Sequence, residues 1–208
     1  EDMKNISTFV KSKQLNICKF IKNNKPTKFT NSYYLPLINK NKVKNNIEFK
    51  KNIIITGPNA SGKTTLIKSC LINLFLSQSI GFGCYDNCKT KLYDYFHSYL
   101  NIPDTSNRDS LFQSEARRCK EIINFIEKNN NKNHFCIFDE IYSGTNPNDA
   151  VLCASIYLKG MNMYKKNADF MLTTHYIELC EKFNDDKNIE NMKMNIHENN
   201  NKFEYLYT

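Results

Sequence analysis

The chain has 208 residues, of which 40% are hydrophobic and 24% are charged, a composition suited to one large folded domain or to one domain with an appendage. Its 29 Lys and Arg side chains exceed its 21 Asp and Glu side chains, so the formal net charge is +8. This charge is compatible with an anionic partner such as DNA without requiring one. No apolar run approaches the length of a membrane-spanning helix and no secretory signal pattern opens the chain, so we expect no membrane association.

The first 32 residues are expected to form a basic segment, helical or irregular, that ends the upstream region of a longer protein, because the chain starts at Glu1 rather than Met. Within this segment, residues 4–22 loosely fit an amphipathic helix. The apolar positions of that pattern are Ile6, Phe9, Val10, Ile17, Phe20 and Ile21. A solvated surface and a nucleic-acid contact are both compatible with such a basic segment. Residues 33–208 are expected to form the main domain.

A phosphate-binding motif occupies residues 57–64, which read G-P-N-A-S-G-K-T and complete the pattern G-x-x-x-x-G-K-[ST]. The apolar run 52–56 precedes it and a helical pattern from Lys63 to about Ser79 follows, which is the strand–loop–helix context that the motif requires. Backbone N–H groups of such a loop surround nucleotide phosphates, and the helix dipole adds positive charge. We expect Lys63 to reach the β- and γ-phosphates and Thr64 to bind Mg²⁺. The predicted nucleotide-binding residues are Gly57, Pro58, Asn59, Ala60, Ser61, Gly62, Lys63, Thr64 and Thr65.

The stretch after this helix is harder to interpret. Gly81 and Gly83 break the helical pattern, and residues 84–110 are polar and aromatic without a clear period. A helix with apolar positions from Leu111 to Ile126 is predicted next, ending in an Asn-rich loop.

Two adjacent carboxylates end the apolar strand that is predicted at residues 134–138. In a protein with a phosphate loop, we expect Asp139 to hold the Mg²⁺ shell and Glu140 to polarise the water that attacks the γ-phosphate. A solvent-exposed acidic turn is the alternative interpretation.

A third strand is predicted at residues 170–173, after a helix from about 148 to 164. His175 follows this strand, in a position to sense the γ-phosphate or to orient the water, because a neutral imidazole can donate or accept a hydrogen bond. A structural or exposed histidine is the alternative. A short helix at residues 176–183 and a β-hairpin over residues 192–207 complete the pattern. Strands that alternate with helices predict an α/β fold with a mostly parallel sheet.

The eight cysteines are scattered through apolar stretches. Most are expected to be small buried residues, namely Cys70, Cys119, Cys136, Cys153 and Cys180. Cys84 and Cys88 form a close pair, but without a second pair they are weak evidence for zinc. Beside a nucleotide-binding motif, this pattern predicts a reducing, intracellular location. Nucleus, cytoplasm and viral factory all remain open.

Together the motifs resemble those of the ABC-type ATPase superfamily, and within it the MutS family. Residues 139–150 match the MutS pattern D-E-I-x-x-G-T-x-x-x-D-[GA], and residues 174–179 match T-H-Y-x-E-L. The L-S-G-G-Q segment of transporters is absent from the sequence, and the two nucleotide motifs lie too close together for an SMC coiled coil. The resemblance implies a P-loop NTPase fold of the ABC type, with three layers, a mostly parallel central sheet and a C-terminal β-hairpin.

The resemblance also implies a composite dimer, in which a signature segment of one subunit closes over the nucleotide of the other. Residues 108–115 stand where MutS proteins carry R-S-T-F-x-x-E-M, although Asp109 is inserted between the Arg and the Ser. By position, Ser110 is the candidate for the contact with the partner's γ-phosphate. A helix N-cap is the alternative role for Ser110. Asn59 is implied to contact the γ-phosphate or the catalytic water of its own site.

We therefore expect the ATPase domain of a MutS-family DNA repair or recombination protein, with ATP and Mg²⁺ as ligands and Glu140, His175 and Asn59 as catalytic residues. Nucleotide state would control DNA binding and the closure of a homo- or heterodimer with another MutS-type ATPase domain. Mismatched or branched DNA would be bound through regions outside this chain, and would stimulate hydrolysis. The alternatives are another ABC-type ATPase subunit and a nucleotide-gated DNA-binding module with negligible turnover.

Overall fold

The computed structural model describes residues 2–22, 24–40, 42–100, 111–199 and 202–207. The chain divides into two compact units. The first unit takes residues 1–50, 64–92 and 196–207, and the second unit takes residues 51–63 and 93–195.

In chain order, the elements are α1 (Asp2–Lys13), β1 (Asn16–Phe20), β2 (Lys28–Ser32), β3 (Asn45–Glu48), β4 (Asn52–Thr56), α2 (Lys63–Ile80), β5 (Phe82–Gly83), β6 (Asn87–Thr90), β7 (Tyr95–Tyr99), α3 (Leu111–Lys128), β8 (His134–Asp139), α4 (Pro147–Asn162), β9 (Ala168–Thr174), α5 (Ile177–Glu181), β10 (Ile189–Asn199) and β11 (Lys202–Tyr207). A 3₁₀ helix, Leu35–Leu37, lies between β2 and β3.

The second unit is built on a parallel sheet with the strand order β10-β4-β9-β8-β7. Every neighbouring pair in that order runs parallel. β4, β8 and β9 are buried along almost their whole length. They read as near-continuous apolar runs, as expected for parallel strands that are buried on both faces. The prediction of an α/β fold with a mostly parallel sheet is confirmed for this unit.

Two helices of this unit show how the sequence sets the local structure. In α3, the buried residues Cys119, Ile122 and Ile126 recur at helical spacing and join the hydrophobic core of the unit. α4 is preceded by Asn146, whose side chain accepts a hydrogen bond of 3.0 Å from the backbone N–H of Asp149. Such an N-cap satisfies one of the free amides of the first helical turn.

The carboxyl ends of β4, β8 and β9 lie at the same edge of the sheet, because the three strands are parallel neighbours. In their register, Thr56 pairs with Thr174, and Asp139 pairs with Thr173. The turns that follow these strands therefore begin side by side. Ligands of open α/β sheets bind at this edge.

The first unit contains a second sheet, which the sequence analysis did not predict. Its strand order is β3-β2-β6-β1-β5, and it is mixed, since β1 and β6 are parallel while the other pairs are antiparallel. Asn73 of α2 ties two segments of this unit together. Its Nδ2 donates to the Tyr33 carbonyl oxygen at 3.1 Å, and its Oδ1 accepts from the Cys84 N–H at 2.7 Å.

The predicted helix over residues 4–22 is wrong in its second half. α1 ends at Lys13, Gln14 adopts a φ of +51°, and β1 follows. In β1 the buried position is Cys18, whereas Ile17 and Phe20 are exposed. The apolar residues that suggested one helix face therefore share no buried surface. β2 also lies within the segment that was expected to be helical or irregular.

The other predicted elements lie close to their expected bounds. β6 and β7 occupy part of the stretch that gave no clear prediction. β10 and β11 are neighbours in the strand order, as predicted for a hairpin. Cys70, Cys119, Cys136 and Cys180 are buried, and Cys153 is half-buried. Among the described residues, no helix is long and apolar enough to cross a membrane.

Candidate functional site

The loop between β4 and α2 contains residues in the left-handed region of backbone conformation. Ala60 and Gly62 adopt φ values of +60° and +94°. Successive amides in such alternating conformations form concavities that bind anions. At Gly57, an added Cβ would lie 2.7 Å from Met194 Cβ and 3.0 Å from Ser61 Oγ. Only glycine fits there, which explains the first glycine of the motif.

Lys63 begins α2 and is only 4% exposed. Its ammonium donates to the carbonyl oxygens of Gly57 at 2.9 Å and Pro58 at 3.1 Å. Burial lowers the pKa of Lys63, while the negative charges of Glu140 and Asp139 oppose that shift. A buried ammonium is costly unless anionic groups compensate it, so this position suits a negatively charged ligand.

Ser61 supplies a buried polar group in the same loop. Its Oγ is buried and has no hydrogen-bond partner among the described residues. A buried hydroxyl without a partner is uncommon in native proteins. It is a potential donor to a ligand oxygen.

Glu140 and His175 form a close pair that also contacts Lys63. His175 Nε2 lies 2.6 Å from Glu140 Oε1, His175 Nδ1 lies 3.4 Å from Lys63 Nζ, and Lys63 Nζ lies 3.8 Å from Glu140 Oε1. A lysine ammonium can only donate, so it assigns Nδ1 of the imidazole as acceptor. His175 Nε2 then carries the hydrogen and donates to Glu140. The two hydrogen bonds therefore run in one direction, from the Lys63 ammonium to the His175 imidazole and from the imidazole to the Glu140 carboxylate.

Asp139 is held by Thr173, a residue that sequence reasoning missed. Thr173 Oγ1 donates to Asp139 Oδ1 at 2.6 Å, and the Thr173 carbonyl oxygen accepts from the N–H of Glu140 at 3.1 Å. One residue of β9 therefore positions both Asp139, the last residue of β8, and Glu140, which follows it. In the sequence, the pair Thr173 and Thr174 precedes His175, but only the strand register shows which threonine faces Asp139.

The turn after Glu140 carries two unusual backbone conformations. Glu140 and Tyr142 have φ values of +53° and +60°, which non-glycine residues seldom adopt. Each such residue costs on the order of 1–3 kcal/mol and persists only where its surroundings enforce it. A strained backbone of this kind is typical of functional sites.

The structure thus brings Gly57, Pro58, Glu140 and His175 into contact with Lys63, with Asp139 next to Glu140 in the chain. Pro58, Asn59 and Ala60 are exposed, and Thr64 and Thr65 are half-buried in the first turn of α2. Ser110 lies outside the described residues.

The oxygen ligands at this edge fit Mg²⁺ better than a transition metal. Mg²⁺ in nucleotide sites takes one or two protein oxygens and completes its shell with phosphates and waters. Asp139 offers a carboxylate of that kind. Within the described ranges, no group of three or more His, Cys, Asp or Glu side chains is arranged to hold a metal by itself.

Comparison with known proteins identifies the family. A family model described as MutS domain V matches residues 53–208. The chain is 30% identical over 170 residues to the endonuclease MutS2 of Staphylococcus haemolyticus, covering 76% of this chain and 21% of that protein. It is 32% identical over 170 residues to the DNA mismatch repair protein MutS of Prochlorococcus marinus, covering 78% of this chain and 18% of that protein.

A third relative is the endonuclease MutS2 of Staphylococcus aureus, which is 34% identical over 152 residues, covering 70% of this chain and 20% of that protein. The chain spans about a fifth of the length of these relatives. The region matched by the family model contains residues 57–64, Asp139, Glu140 and His175. The chain therefore belongs to the MutS family, through its domain V.

Proposed function

We propose that this chain binds and hydrolyses ATP with Mg²⁺, as a P-loop ATPase domain of the ABC type that covers residues 33–208 and has a three-layer fold. The observation that carries this proposal is the convergence of Lys63, Glu140 and His175 within 3.8 Å of one another at the carboxyl edge of the sheet. Attack on a γ-phosphate uses a cation that binds the phosphate and a residue that positions or deprotonates the nucleophile. We assign Lys63 and Glu140 to these roles, and His175 to the orientation of the water.

Nucleotide binding is assigned to the loop and the helix that follows it. Backbone amides from Gly57 to Thr65 surround the phosphates, and the Ser61 hydroxyl is available to donate to one of their oxygens. On binding, the Lys63 ammonium exchanges the carbonyl oxygens of Gly57 and Pro58 for phosphate oxygens. Asn59, exposed at the tip of the loop, is assigned to the γ-phosphate or the attacking water.

Mg²⁺, when bound, neutralises the charge that develops on the β- and γ-phosphates during transfer. Thr64 and Asp139 would hold it, and the Thr173 hydroxyl keeps the Asp139 carboxylate in one orientation.

Glu140 accepts the proton of the attacking water. The hydrogen bond from His175 Nε2 fixes the position of Oε1, which leaves the other carboxylate oxygen for the water. His175 also contacts the Lys63 ammonium through its second ring nitrogen. We therefore assign His175 to sense whether the ammonium has moved onto a γ-phosphate.

At the level of the whole protein, we propose a DNA repair or recombination role in which nucleotide state controls dimer closure and DNA binding. The names of two relatives support a link to DNA, since one is a DNA mismatch repair protein and the other an endonuclease. Mismatched or branched DNA would be recognised by regions outside this chain. The partner would be another ATPase domain of this family, with Ser110 reaching its nucleotide.

The test is phosphate release by the 208-residue chain with ATP, measured with and without Mg²⁺. The proposal predicts Mg²⁺-dependent turnover that is lost in Glu140→Gln and kept in the control Glu127→Gln, an exposed position of α3. Tight ATP binding without turnover in the unmodified chain would instead favour a nucleotide-gated module. Co-fractionation with membranes would favour another kind of ABC-type subunit.

A further inference from the structure

We infer that Glu115 of α3 is a positioning residue for hydrolysis, because it anchors the turn that begins at Glu140. This inference rests on the proposed function and deepens it, by naming a residue that acts on the catalytic carboxylate through the backbone. Glu115 itself touches neither the phosphate loop nor Glu140 among the contacts of the described residues.

The anchor consists of three hydrogen bonds to one buried carboxylate. Glu115 is only 2% exposed. Its Oε1 accepts from both the N–H and the hydroxyl of Ser143 at 3.0 Å, and its Oε2 accepts from the N–H of Gly144 at 3.1 Å. A buried carboxylate is tolerated when several donors compensate its lost hydration, and charge-assisted bonds of this kind are about twice as strong as neutral ones.

Two packing contacts hold the same turn against the same end of α3. An added Cβ at Gly144 would lie 2.7 Å from Leu111 Cγ and 2.9 Å from the Phe112 backbone nitrogen, so the two backbones are too close for any side chain. The ring of Phe112 packs on that of Tyr142 with centroids 5.8 Å apart. The first turns of α3 therefore pack directly against residues 141–144.

The turn needs such an anchor because its backbone is strained at Glu140 and Tyr142. On one side, the N–H of Glu140 is fixed by the Thr173 carbonyl oxygen. On the other side, Glu115 fixes Ser143 and Gly144. Strained conformations persist only where the surrounding structure enforces them. If the second anchor were lost, Glu140 could relax, and its carboxylate would leave the 2.6 Å contact with His175.

The experiment compares the unmodified chain with Glu115→Gln and Ser143→Ala, and uses Glu127→Gln as the control on the exposed face of the same helix. Glutamine keeps the shape of Glu115 but turns one acceptor into a donor facing an N–H group. Ser143→Ala removes only the hydroxyl donor and leaves both backbone bonds. Each protein is measured for kcat, KM for ATP, thermal unfolding, and hydrogen exchange at the amides of residues 141–145.

The expected result for Glu115→Gln is a kcat lower by about 10- to 100-fold with KM changed less than about threefold, since the lost bonds involve a charged acceptor. Exchange at Ser143 and Gly144 should be faster. Ser143→Ala should show a smaller loss of kcat, about threefold, in a chain that unfolds cooperatively. If Glu115→Gln does not fold, Ser143→Ala decides the question.

An unchanged kcat beside faster exchange would overturn the inference while leaving the proposed function intact. If both variants lost cooperative unfolding and showed a higher KM together with a lower kcat, Glu115 would have only a structural role. That result would also overturn the inference. Absence of turnover in the unmodified chain, by contrast, would contradict the proposed function itself.

Discussion

The Nε2 atom of His175 lies 2.6 Å from Oε1 of Glu140, although the two residues follow different strands of the sheet. Both side chains are partly exposed, at 39% and 36%, so the pair faces the side from which a ligand would approach. The pair joins the residue proposed to activate water to the residue proposed to sense the γ-phosphate. Its consequences can be measured.

Replacement of His175 by alanine should lower kcat by about 10- to 100-fold, because it removes a hydrogen bond to a charged acceptor that orients Glu140. ATP binding should change little. His175→Gln retains a side-chain N–H and should recover part of the loss. Steady-state phosphate release gives both parameters, and equal activity of the alanine and unmodified proteins would show that Glu140 needs no such orientation.

Replacement of Lys63 by alanine should weaken ATP binding by about 100-fold or more, because two charge-assisted phosphate contacts are lost. The control is Lys159→Ala, which removes an exposed lysine of α4 and alters the net charge equally. Titration calorimetry with Mg²⁺ and a non-hydrolysable ATP analogue measures the affinity. Similar affinities for the two variants would mean that Lys63 only forms hydrogen bonds within its own loop and does not bind ATP.

Replacement of Thr173 by valine should raise the Mg²⁺ concentration needed for half-maximal turnover by about 10-fold. The change keeps the side-chain shape but removes the donor that orients Asp139 at 2.6 Å, and residues that orient metal ligands typically contribute a factor of this size or more. A Mg²⁺ titration at saturating ATP measures it. The account of Asp139 fails if the midpoint stays where it is while the protein remains folded.

Stability should fall as the pH is lowered from about 6.5 to about 4, because of His97. Burial, together with the nearby charges of His134 and Arg118, lowers the pKa of His97 to about 4. The unfolded chain, with its ordinary pKa near 6.5, therefore binds the proton first as the pH falls, and unfolding becomes more favourable. The loss should amount to about 1–3 kcal/mol across this window.

The reason lies in how His97 is bonded. His134 Nε2 donates to the Asn129 carbonyl oxygen at 3.0 Å, so His134 Nδ1 must accept from His97 Nε2, which lies 3.0 Å away. A proton added to the pair has no acceptor within it. Denaturant unfolding of the unmodified chain and of His97→Gln at pH 7 and pH 5 tests the effect. The same change in unfolding free energy between the two pH values in both proteins would count against it.

Much of the candidate site could be predicted from sequence because each of its parts follows a strongly apolar strand. The runs before Gly57, Asp139 and His175 leave little choice of secondary structure, and parallel pairing then brings their ends to one edge. The positions of these residues in the chain are therefore almost sufficient to predict that they meet.

The remaining features depend on contacts between distant parts of the chain. Glu115 is one acidic residue in a helix that carries several, and only the fold shows that it accepts bonds from Ser143 and Gly144. β1 was predicted as helix because its apolar residues Ile17 and Phe20 were expected to be buried, whereas both are exposed. In both cases the structure depends on contacts with distant parts of the chain, and the local sequence pattern does not contain those contacts.

The most direct test of the central claim is a crystal structure of the chain with Mg²⁺ and a non-hydrolysable ATP analogue. The account predicts that Lys63 Nζ leaves the carbonyl oxygens of Gly57 and Pro58 and binds the β- and γ-phosphates, with Asp139 in the Mg²⁺ shell and Glu140 facing the γ-phosphate. A nucleotide bound elsewhere, or a γ-phosphate out of reach of both Lys63 and Glu140, would contradict it.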